Sequence, residues 1–88
     1  MLHKLCLKVC PSDNLIIKIL NRLINSGFNI IDMNVYGKYN LKTDGREIMI
    51  FIEPEITSYL HSDFEFEETV KIYNMILDEI NLFFEEGE

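Results

Sequence analysis

From Leu5 to Val9 apolar and polar residues alternate, with Leu5, Leu7 and Val9 on one side and Lys4, Cys6 and Lys8 on the other. That period of two predicts a strand with one buried face. Pro11 lacks the N–H that a ladder needs, so the strand stops before it, and Ser12 or Asp13 offers a side-chain oxygen to cap a helix. Within that helix Leu15, Ile16, Ile19, Leu20, Leu23 and Ile24 recur at helical spacing, and Asn14, Lys18, Asn21, Arg22 and Asn25 gather opposite. Gly27 is the natural stop, because a left-handed residue after the last turn costs glycine little. Alternation returns with Ile31, Met33 and Val35 against Asp32, Asn34 and Tyr36, and this second strand can run on through Tyr39 and Leu41. Thr43-Asp44-Gly45 then signals a turn. Beyond it Ile48, Ile50 and Ile52 line one face and Met49 and Phe51 the other, as in a central strand, until Pro54 closes it.

Residues 55–63 read as a longer connection in which Ile56, Tyr59 and Leu60 can fold back onto the body. The last helix runs from about Phe66 to Phe84, with Phe66, Val70, Tyr73, Leu77, Ile80 and Phe84 in one stripe widened by Ile72, Ile76 and Phe83. The order strand, helix, strand, strand, helix predicts an α+β, ferredoxin-like β-α-β-β-α sandwich forming a single domain over residues 1–88. A right-handed crossover would place strands one and three side by side, giving a three-stranded sheet of order 1-3-2 with both helices on one face. The fourth ferredoxin-like strand is missing or irregular. Either residues 55–61 supply an edge piece, or the first strand is an open edge available for pairing.

Charge changes this picture more than composition does. Residues 1–46 hold seven cations against three anions, a balance of +4, and residues 47–88 hold only Lys71 against twelve anions, a balance of −11. An acidic chain repels phosphate backbones, so direct nucleic-acid binding is disfavoured unless folding gathers the amino-terminal cations on one face. At 88 residues, 48% hydrophobic and 26% charged, the chain has a globular composition, and its apolar runs are too short to span a bilayer. The alternating amino terminus does not resemble a secretory signal, which points to the cytoplasm.

Several surfaces are candidates for function. The sheet face turned away from the helices would carry Cys6, Lys8, Asp32, Asn34, Tyr36, Met49 and Phe51, and a one-sided sheet with apolar groups there suggests self-association, as a dimer, or a bound ligand. On the last helix Met75 and Leu82 lie among Glu68, Asp78, Glu79 and Glu86, an apolar pair rimmed by carboxylates that suits a basic protein partner. Cys6 and Cys10 are four residues apart on an extended segment, roughly 13 Å at about 3.3 Å per residue, too far for a disulfide. A metal site of His3, Cys6, Cys10 and His61 would need ligands from both faces of a strand, so neither metal nor other cofactor is expected. Glu53, Glu55 and His61 are the only group suggestive of acid–base work, and no nucleophile elbow or phosphate loop accompanies them. The chain therefore reads as a non-catalytic binding or regulatory module, with a stand-alone acidic inhibitor of a basic or nucleic-acid-binding surface as the alternative.

Leu5-Cys6-Leu7-Lys8-Val9-Cys10, the helix after it, and Ser26-Gly27-Phe28-Asn29-Ile30-Ile31 together resemble the first half of an ACT domain, over about residues 5–36. The resemblance implies a ferredoxin-like regulatory module that pairs with its own copies and binds a small-molecule effector near the start of the first helix. Asp13 and Asn29 are the positions it places on the ligand side. The turn before the helix, Cys10 to Leu15, lacks the glycine that ACT effector sites commonly use.

Overall fold

The structure, a computed structural model, describes residues 2–34, 37–53 and 57–86. Its elements in chain order are β1 (His3–Cys6), α1 (Asp13–Asn25), β2 (Asn29–Asn34), β3 (Lys38–Thr43), β4 (Arg46–Glu53), β5 (Thr57–Ser62) and α2 (Phe66–Glu85). The strands form one five-stranded sheet of order β1-β5-β4-β3-β2, with every neighbouring pair antiparallel. The expected three-stranded β-α-β-β-α sandwich of order 1-3-2 is thereby overturned. The fold is still α+β, but β1 has β5 as its neighbour rather than β4.

Two features account for the extra strands. The stretch read as one strand from Ile31 to Leu41 is a hairpin, with Asn34 opposite Lys38. Gly37 has a φ of +84°, and a Cβ there would lie 3.1 Å from the Ile52 carbonyl oxygen, so glycine alone fits this close approach. The stretch read as a connection contains β5, an inner strand between β1 and β4. Asp44 and Gly45, both at positive φ, make the two-residue turn joining β3 to β4 as the sequence predicts.

Ser12 caps α1, its Oγ accepting from the Leu15 N–H at 3.3 Å, and Gly27 at φ +105° follows the helix end. β1 ends sooner than expected because Lys8 adopts a φ of +61°, which turns the chain out of the ladder. Leu7 still fills the core, and its N–H donates to the Ser58 carbonyl at 2.9 Å.

The core lies between the helices and one face of the sheet. Leu15, Ile19 and Leu23 of α1 and Ile72, Ile76 and Ile80 of α2 join Leu41, Ile48, Ile50 and Leu60 in a single buried cluster. The buried stripe of α2 is Thr69, Ile72, Ile76, Ile80 and Phe83, while Phe66 and Phe84, the ends of the expected stripe, are exposed. An apolar arc covering half the helix left its inward direction undetermined, and the hydrogen bonds of Thr69 select it. α1 is tied to α2 by the Arg22–Glu79 ion pair at 2.9 Å and by Ser26 Oγ donating to Met75 Sδ at 3.5 Å. Among the described residues no helix is long and apolar enough to cross a membrane.

Candidate functional site

Register places the residues of the open sheet face in rows. One row runs Lys4, His61, Met49, Asn40, Asp32, and the next runs Cys6, Tyr59, Phe51, Lys38, with Asn34 aligned beyond it by its backbone. Of the expected self-association face, the structure thus brings Cys6, Met49 and Phe51 together. Lys8 is off the sheet, exposed after its left-handed turn, and Tyr36 and the side chain of Asn34 lie outside the described residues. Tyr59, His61 and Lys38 join Cys6, Met49 and Phe51 on this face, where the sequence pattern does not place them. Lys4 Nζ sits 4.3 Å from the Tyr59 ring centroid, Lys38 Nζ 5.3 Å from that of Phe51, and the Phe51 and His61 rings meet edge to face at 6.3 Å.

His61 Nε2 is buried with no hydrogen-bond partner among the described residues, beside a depression of 270 Å³ lined in part by Leu2, Asn40, Met49 and Asp63. Burial, reinforced by the Lys4 ammonium, lowers the imidazole pKa below its ordinary 6.5. Because the folded pKa is the lower one, this stabilising contribution is complete above the unfolded pKa. It is lost as pH falls through about 6.5 toward the folded value. Between about pH 7.5 and pH 5 the wild type should therefore lose stability that His61→Gln retains. Urea unfolding of both proteins across that range checks this, and parallel curves would contradict it.

The second candidate surface is a groove of 380 Å³ between α1 and the sheet edge, lined by Ile16, Ile17, Leu20 and Ile24 of α1 together with its polar Asp13 and Asn21, by Ile30 and Met33 of β2, and by Tyr39 of β3. β2 is an edge strand with a bulge between Ile30 and Asp32. Ile17, Ile24, Ile30, Ile31 and Met33 are between 37% and 55% exposed, and they make up five of the nine large apolar side chains exposed among the described residues. Sequence patterning assigned most of them to the core.

The acidic partner face is partly consumed within the fold. Glu79 is paired with Arg22 and Met75 packs against the core beside Ser26, leaving Glu68, Asp78, Leu82 and Glu86 exposed. Asp13 and Asn29 are not brought together. They flank opposite ends of α1, roughly 18 Å apart at about 1.5 Å per residue.

His3 packs edge to face on Phe66 with centroids 5.4 Å apart, on the helix side, while Cys6 and His61 face the open side. Among the described residues no group of three or more His, Cys, Asp or Glu is placed to hold a metal ion. Glu55 and the side chain of Glu53 lie outside the described residues. Comparison with protein-family models, with curated proteins and with solved structures finds no match for this chain.

Proposed function

We propose that this protein is a non-catalytic binding module that acts as a homodimer, with the α1–β2 edge of one copy seated on the same edge of another. The concentration of exposed apolar side chains along that edge carries the reading, since a scattered few need no explanation but a contiguous set does. A two-fold axis lets Ile17, Ile24 and Met33 of each copy enter the groove of its partner. Electrostatics favours the same edge. Residues 65–86 hold seven acids and one lysine, so six of the seven net negative charges ride with α2. That helix packs on α1 and on β1, at the opposite edge of the sheet from β2. Pairing through β2 keeps the acidic helices of two copies apart, whereas pairing through α2 would oppose like charges.

The test is molar mass by light scattering over a range of concentrations. A dimer is expected, and Ile17→Lys with Met33→Lys should shift it to monomer while leaving the circular dichroism unchanged. A wild type that is monomeric throughout would contradict the reading. A basic protein partner is the second reading, supported by the density of exposed carboxylates on α2, and its binding should weaken with salt.

A further inference from the structure

We propose that the open face of the sheet binds single-stranded nucleic acid, with bases stacking on Phe51 and Tyr59 and phosphates meeting Lys4 and Lys38. Phe51 on β4 and Tyr59 on β5 are directly opposite one another on adjacent inner strands, on the face that the helices leave bare. Burial in the core does not explain aromatic rings there, because the core-facing positions of these strands are Ile48, Ile50 and Leu60. Lys4 on β1 and Lys38 on β3 reach the two rings from the flanking strands, one on each side. Those strands are three spacings apart, about 14 Å at ~4.8 Å per spacing, with both rings between them. Aromatic rings for base stacking combined with cations for the backbone are a recurring means of holding a single strand without reading its sequence.

The negative charge of the chain as a whole does not oppose this. It is concentrated on residues 65–86, in the layer on the other side of the sheet, while the described charges of the open face balance, Lys4, Lys38 and Lys42 against Asp32, Glu47 and Asp63. Lys4 and Lys38 are the charges set against the two rings, Lys4 Nζ 4.3 Å from the Tyr59 centroid and Lys38 Nζ 5.3 Å from that of Phe51. A single strand exposes the flat faces of its bases to such rings, and a duplex hides them. This binding does not depend on dimerisation.

Fluorescence anisotropy with labelled single-stranded RNA of about 10 nucleotides, the matching DNA strand and their duplex forms tests the proposal. At about 50 mM salt one or both single strands should bind at micromolar protein and the duplex more weakly. The tighter of the two single strands identifies the preferred polymer. Phe51→Leu and Tyr59→Leu keep apolar bulk but lose the stacking surface, and each should weaken binding roughly tenfold. Lys38→Ala should flatten the salt dependence by about 0.7 in the log–log slope, and Lys71→Ala on α2 should change nothing. Absence of single-strand binding at about 100 µM protein, or undiminished affinity in both ring variants, would overturn the proposal. Should a ring variant not fold, chemical-shift mapping on the wild type decides: shifts centred on Lys4, Lys38, Phe51 and Tyr59 support the proposal, and shifts centred on α2 or the α1–β2 edge contradict it.

Discussion

Ile50→Ala is expected to lower the free energy of unfolding by about 2 to 5 kcal/mol, whereas Met49→Ala, one residue earlier on the same strand, costs about 1 kcal/mol or less. Ile50 has no exposed surface and stands between Tyr39 and Leu60 in register, under the helices. Shortening it leaves a cavity that the surrounding close-packed strands and helices cannot collapse to fill. Met49 points to the open face and is half-buried there, so its truncation is relieved by water. A domain of this size has a total stability of about 5 to 15 kcal/mol, and each kcal/mol moves the melting temperature by about 4 to 8 °C, so the Ile50 variant should melt about 10 °C lower or more. Equal losses in the two variants, read by thermal or urea unfolding, would contradict a sheet covered on one side only.

Thr69→Val is the second large effect, expected at about 1 to 3 kcal/mol although the two side chains have the same shape. Thr69 and Ser62 are both fully buried, and the Thr69 hydroxyl donates to Ser62 Oγ at 2.9 Å with the Glu65 carbonyl also within 3.0 Å. Ser62 Oγ in turn accepts from the Phe64 N–H at 3.1 Å. Glu65, at the start of α2, makes no side-chain capping bond, so these hydroxyls join the end of β5 to the first turn of the helix. Valine would remove one partner and leave the other oxygens buried with fewer bonds, which is the costly way to break a buried network. Thr69→Ser should recover most of the loss. A melting temperature for Thr69→Val equal to that of the wild type would show that the junction does not depend on this hydroxyl.

The helices were legible because their periods of three and four are unambiguous and because Ser12 and Gly27 carry their own stereochemistry. The strand count was not, for two different reasons. Met33, Tyr39 and Leu41 all face the helix side, so the parity of the alternation survives the hairpin at Gly37 and a reversal reads as one long strand. In β5 the polarity is inverted. Ser58 and Ser62 turn into the core, where Ser58 Oγ donates to the Val9 carbonyl at 2.9 Å, while Tyr59 and His61 turn outward. Satisfied buried serines carry no apolar signal, and that concealed both the strand and the ring of Tyr59. Without β5, the sequence offered β1 no neighbour but β4. The α1–β2 groove was hidden by the opposite error, since Ile24, Ile31 and Met33 read as core but lie exposed along the α1–β2 edge, which nothing among the described residues covers.

Hydrogen–deuterium exchange at low and high protein concentration addresses the central claim most directly, because it reports where copies meet as well as whether they do. Added protection at high concentration should fall on residues 29–34 of β2 and residues 16–24 of α1. Added protection on the open face around Met49, Phe51 and Tyr59, on α2, or nowhere would contradict an assembly built on the β2 edge.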